Sequence, residues 1–295
     1  MTLEQLRIFV AVAERQHVTR AARALNLTQS AVSSAVTSLE ARHGVALFDR
    51  VGRGIVLNPA GEAFLGEARA VLARVAAAEA ALDDLGGLAR GRLSIHASQT
   101  IAAYWLPPRL AAFHRAYPGI VLEVAIGNTA QVATAVSEGA AELGLVEGEV
   151  DDPALSRVVI DHDPLSLVVA KDHPWTREGG VDLTGSAWVV REPGSGTRST
   201  LEAVLARADL TLADLEVAMV LPANEAVRVA VEAGVGAAVM SRAAAAPGLA
   251  SGALAEVGYD LPARPFHLLR HKQRYRSRAG DAFVAMAAAF QNVRI

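Results

Sequence analysis

The hydrophobic residues of this chain change their spacing near residue 90, and this change constrains the fold more than any other feature. Before that point, apolar residues recur at helical intervals, as at Leu3, Leu6, Phe9 and Val12. Beyond Arg92, short runs with strand character alternate with helical patterns. The candidate strands are 93–96, 121–126, 143–146, 165–170, 187–191, 216–220, 237–240 and 266–270. The pattern predicts an all-α N-terminal part followed by a doubly wound α/β architecture.

The helical part contains two short helices joined by a tight turn. A helical pattern over 18–25 ends at the turn residues Asn26 and Leu27, and Thr28 is a good N-cap for the helix that follows. That helix ends at Gly44, a residue suited to the C-cap. Two short extended pieces come next, at 46–50 and 55–57. We therefore expect a helix-turn-helix with a hairpin wing.

A long alanine-rich helix connects this module to the α/β part. Asn58 supplies an N-cap and Pro59 occupies the first helical position, after which an apolar seam continues to Gly86. A small winged module cannot bury such a seam alone, so pairing with a second copy is the economical solution. The sequence predicts a homodimer through this helix, with a tetramer as a further assembly. The alternative is a helix that packs on its own C-terminal domain.

Composition and charge exclude several classes of protein. The chain has no cysteine, so disulfide scaffolds and thiolate sites are excluded. With no signal-type start and no long apolar run, we expect a cytoplasmic protein without a membrane span. The net charge is −3, yet residues 1–60 are net basic and suited to phosphate contact. Their charges are Arg7, Arg15, Arg20, Arg23, Arg42, Arg50 and Arg53 against Glu4, Glu14, Glu40 and Asp49.

Several motifs occur in order along the first 61 residues. They are Ala21–Ser33, Leu39–Gly44, Leu47–Arg50 and Leu57–Gly61. Together they closely resemble the winged helix-turn-helix of LysR-type transcriptional regulators. Four further segments, 97–101, 127–129, 144–148 and 191–198, resemble the branch that regulates sulfur assimilation and carbon fixation, with the sulfite-sensing members nearest.

The resemblance covers essentially the whole chain and implies a domain plan. A DNA-binding domain would span 1–58 and a linker helix with a hinge 59–90. The effector-binding domain, 91–295, would resemble periplasmic binding proteins, with a ligand cleft between two α/β lobes. Lobe I would combine 91–162 with 263–295, and lobe II would be 163–262. The partners implied are double-stranded promoter DNA and a small metabolite.

Candidate DNA-binding residues follow from helix-turn-helix geometry, in which the second helix enters the major groove. Gln29 has the amide that pairs with adenine, while hydroxyl side chains discriminate bases weakly. Arg50 and Arg53 in the wing would reach phosphate or the minor groove, or would be solvated turn charges. The candidates are Thr28, Gln29, Ser30, Ser33, Ser34, Thr37, Arg50 and Arg53.

Candidate effector-binding residues lie just after predicted strands. Ligands of open α/β sheets bind beyond the carboxyl ends of strands, where helix N-termini favour anions. The candidates are Ser98, Thr100, Asn128, Thr129, Glu147, Ser195 and Thr197. Glu147 would repel a dianion unless protonated or paired, or would accept a hydrogen bond from the ligand. Arg198 either strengthens the site or faces solvent.

Three other interpretations fit the sequence less well. Gly194-Ser195-Gly196 lacks the nucleophile-elbow pattern, so we expect no enzyme. His162 and His173 lack metal-site spacing, and no cofactor or metal is expected. A solute-binding module without DNA function would leave the first sixty or so residues unexplained.

For the effector, a sulfur oxyanion fits best, with a phosphorylated or carboxylated metabolite as the alternative.

Overall fold

A computed structural model describes residues 1–52, 54–86, 90–177 and 181–289. The chain divides into two compact units, Met1–Leu82 with Glu138–Ala140, and Asp83–Ser137 with Ala141–Ile295. In the described ranges, no helix is long and apolar enough to cross a membrane.

The first unit is the expected winged helix-turn-helix. Thr2 caps the first helix through a capping box with Gln5, and Gly44 ends the third helix in the left-handed region. The apolar faces meet around Phe9 and Val12, which are fully buried. Its elements are α1 (Leu3–Arg15), α2 (Val18–Ala24), α3 (Gln29–His43), β1 (Phe48–Val51) and β2 (Gly54–Leu57), followed by α4 (Pro59–Leu85).

The second unit has two lobes, as the fold class predicted. Lobe I is built on a five-stranded sheet in the order β4-β3-β5-β12-β6, in which β3 pairs parallel with β4 and β5 while β12 runs antiparallel to its neighbours. Its strands are β3 (Gly91–Ser98), β4 (Ile120–Gly127), β5 (Leu143–Glu147), β6 (Leu155–Asp163) and β12 (Arg264–His271). Its helices are α5 (Leu106–Ala116), preceded by a π-helical turn at Ile101–Trp105, α6 (Thr129–Glu138) and α10 (Arg278–Ala289).

Lobe II contains a three-stranded antiparallel sheet, β10-β7-β11, and a parallel pair, β8-β9. Trp188 is buried at the centre of its core. Its strands are β7 (Leu165–Ala170), β8 (Ala187–Arg191), β9 (Glu216–Leu221), β10 (Ala238–Ser241) and β11 (Leu254–Val257). Its helices are α7 (Gly196–Ala206), α8 (Asn224–Glu232) and α9 (Arg242–Ser251), with short 3₁₀ turns at Pro174–Thr176 and Leu212–Asp214.

Two strands, β6 and β11, are absent from the strands predicted by sequence. Both lie at a sheet edge, where a strand has a neighbouring strand on one side only. Val158 and Val159 of β6 are exposed, so this strand has no clear alternation of buried and exposed residues. Strand β11 has only four residues, so neither strand displays a clear period of two in its sequence. The chain passes from lobe I to lobe II after β6 and returns before β12.

Candidate functional site

Helix α3 presents one polar face and one apolar face. Val32 and Leu39 are buried in the core of the first unit. Thr28 caps the helix by accepting a hydrogen bond from the Ala31 amide at 3.2 Å, and Gln29 accepts one from Thr19 at 3.1 Å. The six candidates at this helix are Thr28, Gln29, Ser30, Ser33, Ser34 and Thr37, and all of them are exposed.

The wing carries the other two DNA-binding candidates. Arg50 lies exposed on β1, where it pairs with Ile55 of β2. Arg53 lies outside the described residues. The assignment of all eight residues to DNA binding stays a prediction.

The effector candidates converge on one cavity between the lobes of the second unit. Strands β3, β5 and β8 end at the cavity, and helices α6 and α7 begin there. The lining consists of Ser98, Gln99, Thr100, Asn128, Thr129, Glu147, Arg191, Ser195, Gly196 and Thr197. All seven predicted effector residues are among them. Residues from four separate stretches of the sequence are therefore neighbours, although their binding role stays a prediction.

The lobes are closed over this cavity. The Ala130 amide of lobe I donates to the Gly194 carbonyl of lobe II at 3.2 Å, and Asn128 donates to the Pro193 carbonyl at 3.4 Å. A Cβ on Gly196 would lie 2.2 Å from the Glu147 carbonyl oxygen, so only glycine permits this approach. The cavity has room for roughly one water molecule, so in this closed form it admits only a small ligand.

Arg264, which the sequence analysis missed, lies beneath the cavity. The guanidinium donates to Asp163 from Nε at 2.9 Å and to the Thr197 hydroxyl at 3.0 Å, and Glu147 lies 3.6 Å away. Ser241 donates to the second oxygen of Asp163 at 2.6 Å. Burial raises the pKa of Asp163, and the charge of Arg264 opposes that shift. Arg264 thus joins side chains of both lobes at the strand that returns to lobe I.

A second buried arginine, Arg191, was also missed. It forms a two-point ion pair with Glu192, at 2.8 and 3.0 Å, and donates to Asn224. Burial alone would raise the pKa of Glu192, but hydrogen bonds and charge from Arg191 outweigh it and the net shift is downward. Arg198, by contrast, pairs with Glu202 along its own helix at 2.9 Å. No local motif marks Asn224 or Arg264, because most of their partners are remote in sequence, and Arg191 lies in the segment 191–198 without being recognised as part of the site.

The cavity is lined with hydrogen-bonding groups. Helices α6 and α7 begin at the cavity, where the helix dipole favours negative charge, and hydroxyl side chains supply donors. Ser98 Oγ is buried and has no hydrogen-bond partner among the described residues. A buried hydroxyl without a partner is a point where a ligand atom is expected.

Two family models match the chain. Residues 3–62 match "Bacterial regulatory helix-turn-helix protein, lysR family", and residues 86–291 match "LysR substrate binding domain". The chain is 34% identical to the uncharacterized HTH-type transcriptional regulator YeiE of Escherichia coli K12. The alignment spans 289 residues and covers 96% of each chain. It is also 34% identical to the HTH-type transcriptional regulator CbbR of Rhodospirillum rubrum, in an alignment that covers 97% of this chain and 96% of CbbR.

Solved structures share the fold. CbnR, a LysR family transcriptional regulator, aligns with a TM-score of 0.67 at 20% identity, over 98% of this chain and 99% of its own. The CcmR regulatory domain of Synechocystis PCC6803, solved in complex with 2-PG, aligns with a TM-score of 0.63 at 23% identity, over 70% of this chain and 99% of its own. The relatives are transcriptional regulators and not enzymes. This chain belongs to the LysR family of DNA-binding transcriptional regulators, with an effector-binding domain of the type found in its carbon-fixation branch.

Proposed function

We propose that this protein binds promoter DNA through α3 and the wing, and that a small anion in the inter-lobe cavity modulates that binding or its effect on transcription. The observation that carries the proposal is the cavity lined with hydroxyls and helix N-termini, in which the Ser98 hydroxyl has no partner among the described residues. Neutral donors hold an oxyanion without a buried counter-charge of their own. No cofactor is needed for this role.

A sulfur oxyanion is the effector we favour. The closed cavity has room for roughly one water molecule, so the ligand must be small and the lobes must part slightly to admit it, and the donors surround it from both lobes. Sulfite or a related anion satisfies both conditions. A phosphorylated or carboxylated metabolite is the second candidate, favoured by the similarity to a regulatory domain solved with 2-PG. It would require the lobes to separate further.

The same proposal includes the assembly and its location. We propose a division into 1–58, 59–90 and 91–295, with lobe I as 91–162 plus 263–295 and lobe II as 163–262. Residues 59–90 would join two copies into a homodimer, and dimers would pair into tetramers. Val71 and Leu82 of α4 are exposed in the single chain and would be covered by the partner helix. A DNA-binding regulator acts in the cytoplasm.

The experiment is a thermal-shift screen of the full chain with sulfite, sulfate and thiosulfate. An anion at 100 times its dissociation constant should stabilise the protein by about 2.7 kcal/mol. Thr100→Val should abolish the shift, whereas Thr134→Val, a threonine on α6 that does not line the cavity, should keep it. If no anion shifts the wild-type protein, or if Thr100→Val shifts like the parent, the proposed effector site is wrong.

DNA binding needs its own measurement. Fluorescence anisotropy with the protein's own promoter region should show tight binding that weakens steeply with salt. If this fragment binds no better than an unrelated duplex at physiological salt, the regulator proposal fails and a solute-binding module is favoured.

A further inference from the structure

The hydroxyl groups around the cavity differ in which hydrogen bonds they have already made. Thr100 Oγ1 accepts a hydrogen bond from Asn224 Nδ2 at 3.0 Å and a second from Arg264 Nη2 at 3.4 Å. A hydroxyl has two acceptor lone pairs and one proton. Both lone pairs of Thr100 are occupied, so its proton remains available for the cavity.

Two other hydroxyls can donate in the same way. Thr197 Oγ1 accepts from Arg264 Nη1 at 3.0 Å, which leaves its proton free to turn toward the cavity. Ser98 Oγ has no partner among the described residues and is 3% exposed as a residue. Arg264 therefore donates to the hydroxyls of Thr100 and Thr197, and this leaves the protons of both hydroxyls to be donated to a ligand. The positive charge of Arg264 is paired with Asp163.

Two further lining groups can only accept. The Thr129 hydroxyl donates to the Glu147 carbonyl oxygen at 2.6 Å, so its proton is used and only lone pairs remain. Glu147 also lines the cavity, and the residue is 2% exposed. Its carboxylate has the opposite charge of Arg264 at 3.6 Å. An ionised carboxylate offers acceptors alone.

We propose that this cavity selects a small oxyanion that carries one O–H group over an oxyanion of the same shape without a proton. Thr100, Thr197 and Ser98 donate to the unprotonated oxygens of the ligand, and its O–H donates to Glu147. A proton-free anion would leave Glu147 facing negative charge with no donor between them. The inference rests on the proposed function and adds the protonation state of the effector.

The test is isothermal titration calorimetry of the full chain at pH 7 with two matched pairs of anions. Hydrogen phosphate and sulfate are tetrahedral, and only the first carries a proton. Hydrogen selenite and chlorate are pyramidal monoanions, and again only the first carries one. In each pair we expect the protonated anion to bind roughly 10- to 100-fold more tightly, the effect of leaving one buried acceptor without its donor. This comparison needs no mutation.

Glu147→Gln provides the second measurement, because an amide can donate to a proton-free anion. The preference within each pair should fall to about threefold or less, and sulfite should bind at least about tenfold more weakly than to the wild type. Glu149→Gln is the control, since Glu149 is exposed and pairs with Arg157. Both variants are checked for folding by circular dichroism.

The outcomes separate the two proposals. If sulfite and all four anions fail to bind, the proposed effector site is wrong. If anions bind but the proton-free member of a pair binds as tightly as its partner, only the selectivity inference is overturned. That inference is also overturned if Glu147→Gln keeps the wild-type preference or, where sulfite alone binds, the wild-type sulfite affinity.

Discussion

At the scale of single residues, Arg264 shows how a side chain with no sequence signature can organise a site. It is 5% exposed and lies within ion-pair distance of two carboxylates, Asp163 and Glu147. Asp163 is 101 residues away from Arg264 in sequence, and Thr100, which Arg264 also contacts, is 164 residues away. A buried ion pair is only weak evidence of net stabilisation, because both charges lose their hydration. Removing one partner of a buried ion pair is costly, because the remaining charge is then buried without a partner.

Replacing Arg264 should therefore destabilise the protein more than any surface arginine would. Arg264→Met leaves Asp163 and Glu147 buried without their cation, and we expect a loss of about 3–5 kcal/mol in the free energy of unfolding. Urea denaturation followed by circular dichroism measures it. The exposed Arg276→Met should change the value by less than about 0.5 kcal/mol. A loss below about 1 kcal/mol for Arg264→Met would mean that the carboxylates find other partners.

At the scale of elements, helices were easier to predict than edge strands. The polar face of α3 follows directly from helical periodicity, because Val32 and Leu39 face the core and the serines between them do not. Strand β11 is a four-residue edge strand. Of its two central residues, Ala255 is partly buried and Glu256 is exposed. So short a segment cannot display a period of two clearly. Long amphipathic elements are thus predictable, whereas a short strand without a run of buried residues is not.

The start of α4 supplies a prediction at the same scale. A Cβ on Gly61 would lie 2.1 Å from the Leu47 carbonyl oxygen and 2.6 Å from a methyl group of Leu57. Gly61→Ala should push this helix away from the wing strands and cost about 2 kcal/mol or more in unfolding free energy. Gly66, on the same helix, has open space around it.

Gly66→Ala is therefore the matched control for Gly61→Ala. It should stabilise the protein by about 0.5–1 kcal/mol, because alanine is the better helix former. Urea denaturation of both variants in parallel gives the comparison. Equal effects for the two substitutions would mean that the close approach at Gly61 relaxes without cost.

At the scale of the whole molecule, the DNA-binding candidates and the cavity belong to different compact units. Gln29→Ala should therefore weaken promoter binding by about 1–3 kcal/mol while the anion still stabilises the protein. Thr100→Val should do the reverse. Anisotropy with promoter DNA and thermal shift with sulfite are measured on both variants. Loss of both activities in either variant would contradict this separation.

The sequence by itself determined the two-part plan of this protein. Helical periodicity, caps and ordered motifs specify the winged helix-turn-helix, and the alternation of strands and helices specifies the α/β lobes. These signals are local, since each is a pattern within one element or between neighbours along the chain. The seven cavity residues could be proposed for the same reason, because each lies near the end of a strand or the start of a helix.

Only the tertiary structure decided what those residues meet. Arg191, Asn224 and Arg264 enter the site from strand ends and helix starts, and no sequence pattern identified them as site residues. Whether Thr129 donates or accepts depends on a carbonyl 18 residues away, and the polarity of Thr100 depends on an arginine from the returning strand. Hydrogen-bond polarity is a property of partners brought together by the fold, so no single segment of sequence encodes it.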